Sequence, residues 1–354
     1  MIYDQMIVKM LSWTDVVWLK IPKYTKDKTK RMGGTSMASI SGFESSYFTL
    51  EFISDGIYAA IAKGGTGSMA NAGLVDLGDQ ILLFDTMYTP QAARSLRDAA
   101  LHLFGRPISL VVNSHFHLDH VGGNQVFADL PILSTVTTRN LMLERTHQFL
   151  NFAKANPGYP AILKKEIEQE SNGRKRKELS IQLGDILAMD AALPTLVPVP
   201  ATMTYGSLFT FHGSKRTAAL IPMGNGHSAC DSVLYLPDDQ VLFAADLLFA
   251  KSHPSIKDGN VSEWIRILEK MDSYPARAII PGHGPVSDQQ TVLEMRDYLT
   301  HLLHTANQIG TSESGEVEDH ETILMPKEYE NWALPDQFTA NLQFLAHQQR
   351  KKRS

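Results

Sequence analysis

Hydrophobic and polar positions alternate or cluster in short runs through the first third of the chain. Phe48–Ile53, Gly56–Ala62, Ala72–Leu77 and Gln80–Phe84 read as four strands of a β-meander. A helix is predicted from Thr89 to Leu103, with Thr89 as N-cap, Pro90 in its first turn and Gly105 as its stop. Ile108–Asn113 follows as a buried strand. Residues 137–171 have helical spacing, with Leu141, Leu143, Phe149, Leu150 and Phe152 recurring before a break at Asn156-Pro157-Gly158. Ile162, Leu163 and Ile167 extend that pattern. Ser171–Lys177 reads as a basic, solvated turn, with a second short helix running on through Met189.

A second group of strands comes next, at Leu208–Phe211, Thr217–Ile221, Val233–Leu236 and Gln240–Ala244, with a turn at Pro237-Asp238-Asp239 between the last two. A helix at Val261–Met271 and a strand at Ala278–Ile280 repeat the strand–helix–strand order of the first half. The tail holds a helix at Asp288–His304, a polar loop at Gly310–His320 and a segment to His347 that packs back on the core. Lys351-Lys352-Arg353 is expected to fray. Residues 1–36 read as an N-terminal extension whose order stays open, and the main domain as 37–310. Residues 138–195 form a helical insertion, and 311–354 a tail. About a hundred residues separate the segment after Asn113 from the next candidate site, more than one crossover needs. The insertion has two readings: a lid that selects substrate, or a contact in a homodimer.

Composition narrows the class. The 354 residues, 43% hydrophobic and 20% charged, suit an ordinary globular protein. A net charge of -5 offers no broad basic surface for nucleic acid. No uninterrupted apolar run reads as a signal peptide or membrane span, so the expected location is the cytoplasm. Cys230 is the only cysteine, which excludes an intrachain disulfide. It reads as a small buried residue entering a strand.

The chemistry is concentrated where Ile108–Asn113 ends. His115-Phe116-His117-Leu118-Asp119-His120 places three imidazoles and a carboxylate in six residues, followed by Gly122-Gly123-Asn124. In an extended segment His115 and His117 point the same way and can grip one ion. If the glycines let the chain turn, Asp119 and His120 reach a neighbouring ion. Imidazole and carboxylate suit zinc, iron or manganese. Downstream, His227 lies in a Gly-rich turn, Asp246 ends an apolar run, and His283 follows another in Pro281-Gly282-His283-Gly284. Upstream, Asp85 closes Ile81–Phe84 in the same manner.

With these residues in this order, the chain resembles the metallo-β-lactamase fold superfamily, and its dimetal hydrolases in particular, over about residues 45–300. The resemblance implies an α+β fold, a four-layer αββα sandwich of two similar halves with metals at one edge of the sheets. It implies that His115, His117 and His227 hold one ion, that Asp119, His120 and His283 hold the second, and that Asp246 bridges them. Asp85 would support the ligand loop from behind. Asp246-Leu247-Leu248-Phe249 is similar to the motif of glyoxalase II and lactonases, although Ala245 stands where those enzymes commonly have Gly. Antibiotic-degrading zinc β-lactamases carry Cys or Ser in place of Asp246. The short span from Asp246 to His283 leaves no room for the inserted domain of the nuclease branch.

The implied activity is hydrolysis of an ester-like bond in a small molecule, thioester or lactone ahead of amide. A hydroxide shared by two divalent ions, zinc first and iron or manganese next, would attack, and Asp119 would orient it and relay a proton. Two rivals are a mononuclear iron sulfur dioxygenase on the same fold and a metal-binding protein without catalysis. His253 is a further candidate for substrate contact or support of the site, against the plainer reading of a loop residue before Pro254. Lys251 and Tyr88 are weaker candidates.

Overall fold

A computed structural model of the protein describes residues 42–156, 158–310 and 325–351. The expected N-terminal extension, the loop at 311–320 and Lys352-Arg353 lie outside the described residues.

Two sheets stack face to face. The first has seven strands in spatial order from β1 to β7: β1 (Phe48–Ser54), β2 (Ile57–Ala62), β3 (Ala72–Asp76), β4 (Ile81–Phe84), β5 (Leu110–Val112), β6 (Ile132–Thr135) and β7 (Met203–Tyr205). The meander β1–β4 is antiparallel, whereas β4 through β7 run parallel. The second sheet has the order β12-β11-β10-β9-β8, from β8 (Phe209–His212), β9 (Thr217–Gly224), β10 (Asp231–Leu236), β11 (Val241–Phe249) and β12 (Ala278–His283). Its last pair, β11 and β12, is parallel.

The layers follow from which faces are apolar. Val75, Leu82 and Phe84 of the first sheet meet Leu220, Leu234 and Phe243 of the second in a shared interior, with the Phe84 and Phe243 rings 5.8 Å apart. The other face of the first sheet is covered by α1 (Pro90–Phe104) through Ala93, Leu96 and Ala100. Thr89 caps this helix by accepting from Ala92 N–H, and Gly105 ends it at φ 62°, as the sequence predicts. The outer face of the second sheet receives α6 (Val261–Asp272), α7 (Gln289–Gly310) and α8 (Asp336–Lys351), which bury Trp264, Tyr298 and Phe338. The result is the αββα sandwich.

Three helices fill the crossover between the parallel strands β6 and β7: α3 (Val136–Ala155), α4 (Tyr159–Gln169) and α5 (Gly173–Ala192). One expectation needs correction, and two strands went unread. The basic stretch Ser171–Lys177 is a loop only at Ser171 and Asn172: Asn172 accepts from the N–H groups of Arg174 and Lys175, and α5 starts at Gly173 and runs for 20 residues. Strands β6 and β7 are too short, at four and three residues, to leave a periodic signal. Among the described residues no helix is long and apolar enough to cross a membrane.

Candidate metal centre

The ends of β4, β5, β9 and β12 and the interior of β11 converge at one edge of the sandwich. After β5, Ser114–His117 is irregular, and His117 precedes a single helical turn, α2 (Leu118–Val121), which carries Asp119 and His120. The turn is therefore made before the glycines and does not depend on them. Gly122 and Gly123 serve close approach instead: a Cβ would lie 2.0 Å from Tyr88 O at the first and 2.2 Å from Thr86 O at the second. Asp246 is also placed differently from expectation. It does not end its strand; β11 continues to Phe249. Its pairing with β12 shifts register on both sides of Ala245, which has φ 46°. Across the pair, a Cβ on Gly282 would lie 1.8 Å from Asp246 Oδ1, so only glycine leaves room for the carboxylate.

Seven side chains meet there in two groups that share Asp246: His115, His117, His227 and Asp246, and Asp119, His120, Asp246 and His283. In the first, His117 Nδ1 lies 3.0 Å from both His115 Nε2 and His227 Nε2. Asp246 Oδ2 is 3.2 Å from His227 Nε2 and 3.8 Å from His115 Nε2. In the second, His283 Nε2 is 3.3 Å from Asp119 Oδ2 and 3.4 Å from Asp246 Oδ2, and His120 Nε2 is 2.9 Å from Asp246 Oδ1. Ligands about 2.0–2.2 Å from a tetrahedral ion are themselves roughly 3.4 Å apart, so these separations fit the cation the donor set calls for.

An orphaned pair supports the same fit. His120 Nε2 and Asp246 Oδ1 are fully buried, and although close they are not aligned to bond, so neither has a hydrogen-bond partner. Buried polar atoms left in this way are costly unless something between them is satisfied by both.

The outward nitrogens are held. His115 Nδ1 donates to Ser114 Oγ (2.9 Å), which donates to Asp85 Oδ2 (2.7 Å). His227 Nδ1 is 3.1 Å from Ser255 O, and His117 Nε2 is 3.1 Å from Asp258 Oδ2. Such outer partners fix each ring and its tautomer. Asp85 lies behind the ligand loop, accepting from Ser114 N–H at 2.8 Å as well. Asp258 was not foreseen: it lies 141 residues from His117, in a loop with no metal-binding spacing. Its only sequence signal is Asp-Gly-Asn ahead of an apolar-periodic helix, which reads as a turn.

Burial opposes charge throughout the site, and its carboxylates decide where protons would sit. Burial drives His227 down to about 3 even against Asp246, and burial with neighbouring imidazoles holds His115 well below the ordinary range. Both lone pairs are thus free to ligate. Burial is overcome at His120 and His283, where the carboxylates of Asp246 and Asp119 raise both, His283 to about 10. Protons on His120 and His283 thus offset the carboxylates of Asp246 and Asp119, and a bound cation would take their place.

A cavity of about 690 Å³ opens onto this cluster, reached by His117, Asp119, His227, Asp246 and His283. Tyr88 also lines it, and its phenol is pushed up by burial and by Asp119, so it keeps its proton. Helix α5 forms a wall of the cavity and is fastened by Asp185, which accepts from Gly67 N–H (2.8 Å) and Gly65 N–H (3.2 Å). His253 borders the cavity, but its ring nitrogens are 3.1 Å from Tyr298 Oη and 3.2 Å from Tyr329 O, and the residue is 1% exposed. It ties the tail to the core. Lys251 pairs with Glu294 at 2.5 Å, and Cys230 is buried with Phe116, Val121 and Met142.

The sequence model of the Metallo-beta-lactamase superfamily matches residues 65–283. The chain is 22% identical over 237 residues to a linear primary-alkylsulfatase of a Pseudomonas species, covering 63% of this chain and 43% of that one. It is 23% identical over 235 residues to the 2,4-dinitroanisole O-demethylase subunit alpha of a Nocardioides species, covering 65% and 54%. The chain thus spans about half the length of these relatives. A solved metallo-beta-lactamase from Pontibacter korlensis superposes with a TM-score of 0.51 at 19% identity, over 72% of this chain and 99% of that one.

Proposed function

The chain belongs to the metallo-beta-lactamase superfamily, and from that premise we propose that it is a binuclear metal-dependent hydrolase of an ester-like bond in a small molecule. The observation that carries this reading is the pair of donor groups sharing Asp246, with the orphaned His120 Nε2 and Asp246 Oδ1 between them. One group consists of three histidines and the shared carboxylate. The other adds Asp119, His120 and His283. Zinc fits this nitrogen and oxygen set best, with iron or manganese next. Bound there, two ions supply Lewis acidity, lowering the pKa of water and balancing charge that develops on the substrate.

The residues provide the rest. Asp119 lies at the cavity floor with its carboxylate held ionised, down to about 2, by His120 and His283 against the effect of burial. In this reading it takes the proton of the attacking water and passes it to the leaving oxygen or sulfur as the ester bond breaks. Tyr88, protonated and facing the same cavity, can donate to the substrate oxygen. Asp246 keeps the two groups at a fixed separation. α5 narrows access and supports the lid reading of the insertion.

The test is elemental analysis of metal-reconstituted protein together with a screen of thioesters, lactones, sulfate esters, β-lactams and phosphodiesters. Two ions per chain with thioester or lactone turnover is the expected result. One iron per chain with sulfur-dependent oxygen uptake would replace this reading with a dioxygenase. Metal without turnover of any of these substrates would leave only a binding role.

A further inference from the structure

Part of the cavity wall is apolar. Met69, Leu179, Ile181, Ile186, Phe249 and Leu334 line it. Three of these large side chains stay open to solvent: Met69 at 38%, Ile181 at 37% and Leu334 at 51% exposure. Grouped exposed apolar side chains around one opening mark a binding surface more often than chance.

The backbone adds an independent observation. Met69 and Leu334 have φ 56° and 62°, a left-handed conformation that a large side chain adopts only when its surroundings impose it. Those surroundings are on hand: Ala70 N–H bonds to Ser68 O, Ala333 N–H to Lys251 O, and Leu334 N–H to Glu178 Oε1. Strain and solvent exposure thus coincide at two apolar residues on one rim.

The charged groups of the rim are already partnered. Glu178 pairs with Arg174 at 3.3 Å, Asp185 accepts from the Gly65 and Gly67 amides, and Lys175 pairs with Asp336 at 2.9 Å. An anionic group entering beside α5 would lose its hydration and meet no unpaired cation among the lining residues.

We infer that the rim formed by Met69, Ile181 and Leu334 binds an uncharged aliphatic chain of the substrate, and excludes chains that end in a carboxylate. This rests on the hydrolase reading only in placing the scissile bond at the metal centre. The chain lies against α5, and the volume of about 690 Å³ is in the range of small-molecule sites.

The test uses zinc-reconstituted full-length protein and two amides of equal length: nonanamide, and the analogue whose terminal methyl is replaced by a carboxylate. Calorimetric titration is expected to show nonanamide binding at least tenfold tighter than the analogue, with Leu334→Asp and Ile181→Asp each weakening nonanamide by about tenfold or more. Both residues are exposed, and if a variant fails to fold, the comparison on the unmodified protein decides. Equal or tighter binding of the carboxylate analogue overturns the inference. So does absent binding of nonanamide, as when another segment or a second copy fills the groove, or binding that a folded variant leaves intact. A parallel series of p-nitrophenyl acetate, hexanoate and decanoate separates the two readings. Amide binding without ester turnover sinks the hydrolase and keeps the chain site; ester turnover without chain-length preference does the reverse.

Discussion

His120 Nδ1 lies 2.8 Å from Asp85 Oδ2, and the same carboxylate oxygen accepts from Ser114 Oγ, which in turn receives His115 Nδ1–H. One buried acid therefore sets the tautomer of a histidine in each donor group. Asp85 has φ 61°, a conformation that Asn also tolerates, so Asp85→Asn keeps the backbone while removing the charge. Metal affinity is expected to fall about 10–100-fold, as for loss of other outer-shell partners. Competition with a chromophoric chelator measures it.

Asp258 orients His117 from the opposite side, with its other oxygen 3.5 Å from Arg145 of α3. Asp258→Ala is expected to weaken one of two metal equivalents by about tenfold. The second equivalent should be less affected, because its donors do not touch Asp258. Asp258→Glu should recover part of the loss. Stepwise metal titration with elemental analysis distinguishes the two equivalents.

Asp185 anchors α5 through the amides of Gly65 and Gly67. Asp185→Ala leaves both amides without an acceptor and releases the wall of the cavity. KM for the best substrate is expected to rise several-fold more than kcat falls, with two metal equivalents still bound. Equal loss in both constants would argue against a positioning role for the insertion.

His253 gives a pH dependence of stability. Burial lowers its pKa to about 4, against an ordinary value of 6.5. Below about pH 6.5 the unfolded chain takes up a proton that the native state refuses until about pH 4, so stability declines as pH falls through that window. The contribution is about 1–3 kcal/mol. His253→Gln should flatten this part of the curve, read by denaturant unfolding at successive pH values, while metal content is retained.

Much of the candidate site was legible because local chemistry is dense. His115 to His120 announces itself within six positions, and the apolar runs that lead to Asp85, Asp246 and His283 follow ordinary periodicity, although β11 runs on past Asp246 to Phe249. The helix at 90–104 was legible for the same reason, since Thr89, Pro90 and Gly105 act on their own backbone neighbours. The start of α5 was not, because basic residues dominate 174–177 while the cap is one asparagine. Strands β6 and β7 are stabilised by pairing with distant partners, so three or four residues show no period.

The sequence by itself determined the donor types, their order and the alternation that makes two apolar-faced sheets, since these depend on side-chain chemistry and near neighbours. Only the tertiary structure decided that Asp246 sits inside its strand opposite Gly282 and that Asp258 stands behind His117. It also decided that α5 walls the cavity and that His253 serves the tail. Those roles depend on contacts between residues tens to more than a hundred positions apart, and packing of the two sheets, not local preference, sets such distances.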